Sequence, residues 1–220
     1  MNIILLAPPA AGKGTQAELL ESKYHLNHIS TGELLRKSAS REDDFGKKMR
    51  DLLESGELVS DEIIFEVLNK HLETCENQNL LLDGFPRNIY QAERLEEMLK
   101  EKNDKLDFVF FLDVPKETLK RRITGRRMCQ KCGSAYNVNI DSLKPKVDSI
   151  CDKCQGTLYQ RNDDNEESFE IRYQEYLDKT SALITYYQDK QILYRIQSDK
   201  SKEEVFQELC GVIEKGMKKW

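Results

Sequence analysis

Short apolar runs at Ile3 to Leu6, Leu80 to Leu82, Phe108 to Leu112 and Ile192 to Ile196, with a weaker one around His28 to Ser30, punctuate the chain at wide intervals. Between them apolar residues recur at helical spacing. Ala17, Leu20 and Tyr24 share one helix face, and Ser60 is placed to cap a helix carrying Ile64, Val67, Leu68 and Leu72 on one side. Pro115 suits a first helical position, and Glu166 to about Lys190 reads as one long helix. Strands that alternate with helices predict a parallel sheet covered on both faces, an α/β fold. From roughly Arg127 to Asp164 this periodicity disappears. Cysteines, glycines, a proline and scattered polar residues take its place, which marks an inserted small module.

The length of 220 residues accommodates one core carrying such an insert. Hydrophobic residues make up 39% and charged residues 33%, with a formal net charge of -5, so nothing attracts the chain generally to nucleic acid or to an anionic membrane. Any anion it binds must meet local basic groups. The run near Met1 lacks the basic front and length of a signal peptide, and no stretch approaches the roughly 20 apolar residues of a membrane span, so a cytoplasmic location is the expectation. In a reducing compartment the two CxxC pairs, Cys129/Cys132 and Cys151/Cys154, favour metal over disulfides or a redox role, while Cys75 and Cys210 are assigned to packing. The 18 residues between the pairs suit a tetrahedral four-cysteine ribbon. Four sulfurs leave no open coordination position, so the ion, zinc or iron, is structural. It staples a segment too poor in large apolar residues to build much core.

The first strand runs directly into Ala7-Pro8-Pro9-Ala10-Ala11-Gly12-Lys13-Gly14-Thr15 and then into a helix. A phosphate cradle requires this order. Backbone N–H groups converge on phosphate oxygens, the helix start adds partial positive charge, and Lys13 supplies a full one. Thr15 is placed to reach a phosphate or a magnesium shell. The strict P-loop pattern wants glycine at position 7 and Ser or Thr at position 14, where this chain has Ala7 and Gly14. Taken alone, the segment also fits a plain strand-turn-helix corner with an exposed lysine.

Gly12-Lys13-Gly14-Thr15, Ser30-Thr31-Gly32-Glu33, Asp83-Gly84-Phe85-Pro86-Arg87 and Gly125-Arg126-Arg127 together resemble, in order and spacing, the adenylate kinases among the nucleoside monophosphate kinases. The four-cysteine insert narrows the likeness to the long-lid type. The resemblance implies a P-loop three-layer α/β/α fold on a five-stranded parallel sheet, catalysing ATP + AMP ⇌ 2 ADP with magnesium, as a monomer with a structural zinc. It divides the chain into a core (1–29, 60–126 and 165–220), an AMP-binding flap (30–59) and a lid (127–164). Family members usually carry glycine at the positions of Ala7 and Ala10, which bears on loop geometry and nucleotide affinity.

Site residues follow from the same likeness. Ala10, Ala11, Gly12, Lys13, Gly14 and Thr15 would cradle ATP, with Arg122 against the donor adenine and Lys200 in a loop that touches the base through backbone. Ser198 stands at the family's usual glycine in that loop. Tyr136 either lines the donor pocket or packs inside the ribbon. Thr31, Glu57, Leu58, Val59, Gly84 and Gln91 would hold AMP, with Arg36 and Arg87 on its phosphate. Arg126, Arg161 and Arg172 would clamp the transferring group, Asp83 would order the magnesium shell, and Asp163-Asp164 would form the lid hinge. An acceptor phosphate is largely a dianion at neutral pH and attacks without a general base, so His25, His28 and His71 are assigned structural roles. Three alternatives stay open. One is a kinase with GTP as donor or another monophosphate as acceptor, one a nucleotide-binding protein impaired by Ala7 and Ala10, and one a ribbon that binds nucleic acid.

Overall fold

The computed structural model describes residues 1–55, 59–72 and 79–218, so Glu57, Leu58 and Cys75 lie outside the described residues. In chain order the strands are β1 (Ile3–Leu6), β2 (Asn27–Ser30), β3 (Leu80–Asp83), β4 (Phe108–Asp113), β5 (Arg126–Cys129), β6 (Ala135–Asn137), β7 (Leu158–Tyr159) and β8 (Leu193–Gln197). The helices are α1 (Lys13–Tyr24), α2 (Thr31–Ala39), α3 (Asp44–Ser55), α4 (Asp61–Leu72), α5 (Ile89–Glu101), α6 (Lys116–Gly125), α7 (Glu166–Glu175), α8 (Ala182–Asp189) and α9 (Lys202–Met217).

β1, β2, β3, β4 and β8 form one parallel sheet in the order β2-β3-β1-β4-β8. Strand alternation divides the core between its faces. Ile4 and Leu6 point into a cluster with Leu35, Met49, Leu68, Leu95 and Leu183, whereas Ile3 and Leu5 meet Leu20, Leu119, Phe169 and Leu209 on the other side. Truncating a fully buried leucine such as Leu20 to alanine would cost about 2–5 kcal/mol. This is the expected three-layer arrangement, and no helix among the described residues is long and apolar enough to cross a membrane.

Two expectations are refined. Pro115 sits one residue before α6, where its φ of -58° leads the chain into the helix without a missing N–H inside it. The long helix from Glu166 is continuous but not uniform, because Tyr176–Thr180 form a π-turn between α7 and α8.

The insert is a separate three-stranded antiparallel sheet in the order β6-β5-β7. Its strands are two to four residues long, and its buried apolar contacts reduce to Cys129, Cys151 and Leu158 with Tyr136 and Cys154 beside them.

Candidate active site and metal centre

Parallel pairing aligns the carboxyl ends of three strands, since Asp83 lies opposite both Leu5 and Ser30. The phosphate loop, Thr31 and the Gly84–Arg87 loop therefore leave the sheet at one edge, where open α/β sheets bind ligands. Gly12 caps α1 at φ 95°, and Ala10 holds φ 64°, a left-handed conformation that favours glycine. Ala7 is buried and is not among the positive-φ residues. The Lys13 ammonium bends back to donate to the Ala7 carbonyl at 3.0 Å, closing the loop on itself.

One cleft gathers Lys13, Arg36, Arg87, Arg172, Gly84 and Gln91, with Leu35, Leu53, Val59 and Ile64 supplying an apolar wall. The cations crowd one another. Burial pulls Lys13 down to about 8, and Arg87, Arg172 and Arg126 work in the same direction against the pull of Asp83. Burial likewise lowers Arg36 and Arg87 to about 10 each. Asp83 and Asp163 offset only part of this charge, so a polyanion entering the cleft would relieve both desolvation and mutual repulsion. At Arg161 the buried Nε has no hydrogen-bond partner, an unfilled donor that an anion would satisfy.

Other predicted residues are already engaged. Arg126 forks onto Asp164, with Nε donating to Oδ2 at 2.8 Å and Nη2 to Oδ1, leaving Nη1 for a further acceptor. Arg172 donates to Asp163 at 2.8 Å. Arg122 ties the donor side together, donating to the Ser198 carbonyl at 2.9 Å and to the Ala11 carbonyl at 3.4 Å, while the Ser198 hydroxyl donates to that same Ala11 oxygen. Lys200 is exposed and paired with Glu208 at 3.1 Å. Thr31 donates to the Gly84 carbonyl at 2.9 Å, and Gly84 adopts φ 80° with Thr31 Oγ1 only 3.0 Å from where a Cβ would sit. Arg87 Nε donates to that same Gly84 oxygen at 2.8 Å.

Sequence reasoning missed several partners. His28 Nε2 lies 3.9 Å from Asp83 Oδ2. Burial pushes the Asp83 carboxyl up, but His28, Lys13 and Arg87 outweigh it and hold the group below its ordinary value. The structural assignment of His28 thus gains a specific neighbour, which its position one residue before Ile29 did not reveal. Thr180, in the π-turn, donates to the Arg87 carbonyl at 2.9 Å. No sequence pattern marked it, nor Glu175 and Tyr176, which line the cleft.

In the insert, Cys129, Cys132, Cys151 and Cys154 offer sulfurs that all lie within 4.8 Å of one another. Two of the separations are 3.4 Å (Cys129 to Cys154) and 3.6 Å (Cys132 to Cys151), near the roughly 3.8 Å that a tetrahedral ion with Zn–S bonds of about 2.3 Å imposes. At Gly156 a Cβ would come within 3.0 Å of Cys129 Sγ, so the ribbon approaches its own ligands more closely than a side chain allows. The Tyr136 hydroxyl lies 3.4 Å from Cys151 Sγ and accepts from the Asp152 N–H at 2.8 Å, beside the four sulfurs.

The adenylate kinase family model matches residues 5–192 of this chain. The chain belongs to the adenylate kinase family. Adenylate kinase of Archaeoglobus fulgidus is 45% identical over 217 residues, covering 98% of this chain and 99% of the relative. Those of Clostridium tetani and Clostridioides difficile are each 43% identical, covering 97% and 98% of this chain and 98% and 100% of the relatives. Membership makes the chain a nucleoside monophosphate kinase, a phosphotransferase working on nucleotides with magnesium, and accounts for a cleft so rich in cations.

Proposed function

We propose that the cleft at the carboxyl edge of the sheet is where this adenylate kinase performs ATP + AMP ⇌ 2 ADP, with the donor on the phosphate loop and the acceptor against Arg36, Arg87 and the apolar wall. The carrying observation is the convergence of Lys13, Arg36, Arg87 and Arg172 on one cavity beside Gly84 and Gln91. Phosphoryl transfer needs alignment, charge neutralisation and exclusion of water more than covalent help from the protein. In this reading Lys13 leaves the Ala7 carbonyl for the transferred phosphoryl group, and the loop N–H groups from Ala10 to Thr15 cradle the donor phosphates. Arg36 and Arg87 fork onto the acceptor phosphate. Arg126, Arg161 and Arg172, which bracket the insert, complete the clamp. Bound magnesium would supply charge neutralisation at the donor phosphates, and Asp83 would order its water shell.

Thr31, Gly84, Val59 and Gln91 form the acceptor's nucleoside side, with Glu57 and Leu58 assigned there by resemblance. Arg122 and the loop of Ser198 and Lys200 face the donor base. The four sulfurs would hold one structural zinc that folds the lid. The core, flap and lid divisions drawn from the sequence, and a cytoplasmic monomer without nucleic-acid or membrane partners, complete the reading.

ADP formation from ATP and magnesium, compared across AMP, GMP, CMP and UMP, tests it. Strong turnover with AMP alone is the expected result. No turnover with any acceptor, while nucleotide still binds, would replace the enzyme with an impaired binding protein, and faster turnover with GTP as donor would overturn the ATP assignment.

A further inference from the structure

Within the acceptor cleft Gln91 is a side chain able to read the edge of a base, and a network behind it fixes its amide. Gln91 is buried. Its Oε1 accepts from the Arg87 backbone N–H at 2.7 Å, and its Nε2 donates to Asp61 Oδ1 at 2.6 Å. Asn88 is tied into the same network. Its Oδ1 accepts from the Gln91 backbone N–H at 2.8 Å, and its Nδ2 donates to the two Asp61 oxygens at 3.1 and 3.3 Å.

A backbone N–H can only donate and a carboxylate can only accept, so the polarity of this chain of bonds is set at both ends. Turning the Gln91 amide over would set its NH2 against the Arg87 N–H and its oxygen against the Asp61 carboxylate. Two hydrogen bonds would be lost and two like-signed contacts would replace them.

We propose that Asp61 is a positioning residue for acceptor-base specificity: by locking the Gln91 amide in one orientation, it lets the pocket take a 6-aminopurine and reject a 6-oxopurine. The inference rests on reading this cleft as the AMP site. With the lock in place, Gln91 retains one lone pair on Oε1 and one N–H on Nε2. Adenine matches them, presenting an exocyclic N–H beside a ring acceptor. Hypoxanthine carries the opposite polarity at the same two positions and no added bulk, so it would meet the locked amide donor to donor and acceptor to acceptor. A free amide would turn over and accept either base. Asp61 acts from the first turn of α4 without lining the cleft itself.

The test is kcat/KM for AMP and for inosine monophosphate in the wild type and in Asp61→Asn, whose carboxamide both donates and accepts. The ratio favouring AMP is expected to fall by about tenfold, mainly through the two KM values, while the melting temperature and the KM for ATP stay near wild type. Asp61→Glu and Asp61→Gln repeat the comparison of carboxylate with carboxamide at equal length, and Glu is expected to retain more of the ratio. This pair decides the matter if Asp61→Asn does not fold. Equal loss for both acceptors in the carboxamide variants would make Asp61 a mere support of the loop and overturn the proposal. A wild type that does not prefer AMP over inosine monophosphate would instead refute the adenine reading, and this inference with it.

Discussion

The Arg126–Asp164 pair, between the start of β5 and the residue before the N-cap of α7, is the ion pair on which the strongest stability prediction rests. The Asp164 side chain has no solvent exposure, and that of Arg126 has 20%. Asp164→Asn would keep the shape but remove the charge that the Arg126 fork satisfies. Breaking a buried pair of this kind costs about 3–5 kcal/mol when both partners are dry; with Arg126 one-fifth exposed, about 2–4 kcal/mol is expected. For a chain of 220 residues this corresponds to a fall in melting temperature of roughly 5–12 °C. Calorimetry provides the assay. Exposed ion pairs fade with salt, so the loss should change little between low and high ionic strength. The double variant Arg126→Met/Asp164→Leu removes both charges and should recover much of the stability, because no unpaired charge is left behind. A melting temperature for Asp164→Asn within about 1 °C of wild type, or a double variant as unstable as the two single changes added together, would refute the reasoning.

Ala10 and Ala7 should respond to glycine with opposite signs. Ala10 at φ 64° is strained, so Ala10→Gly should be neutral to about 1 kcal/mol stabilising, whereas Ala7, buried and outside the left-handed region, should lose about 1 kcal/mol. Chemical denaturation measures both, and matching signs would contradict the backbone argument. If the four cysteines hold the proposed metal, its removal by chelation, verified by elemental analysis, should lower the melting temperature by more than about 5 °C, and an unchanged curve would sink the staple. Lys13, lowered to about 8 against 10.5 for a free lysine, should impose an alkaline limb near that pH on kcat/KM for ATP. Between about 8 and 10.5 the unfolded chain holds this proton more tightly than the folded one, so the Lys13 contribution to stability rises with pH across that window. Lys13→Met should erase the rise, and its persistence in equilibrium unfolding would refute the assignment.

Long-range order was legible wherever burial wrote it into the chain. The five apolar runs became the five strands of the parallel sheet, because a strand covered on both faces has little room for polar residues. The cysteine spacing likewise announced four sulfurs within bonding reach of one ion. What stayed hidden depends on geometry without compositional cost. The lid strands are too short for periodicity and are shaped by ligands rather than by core. The π-turn leaves the apolar spacing of a long helix nearly undisturbed. Gln91 was named by resemblance, but Asp61 and Asn88 are ordinary polar residues in the sequence, and only the fold ties them to its amide and backbone.

The π-turn at Tyr176–Thr180 also limits how this chain can change length. Arg172 and Thr180 hang from one continuous helical run, one paired with Asp163 and the other gripping the Arg87 carbonyl. Each residue added or deleted between them would turn one relative to the other by about 100°. The segment behaves like a toothed shaft, in which only a whole turn of insertion would restore the phase. The exposed lid stretch from Asp141 to Lys144 carries no such gearing, so variation in length should be tolerated there and purged between Arg172 and Thr180.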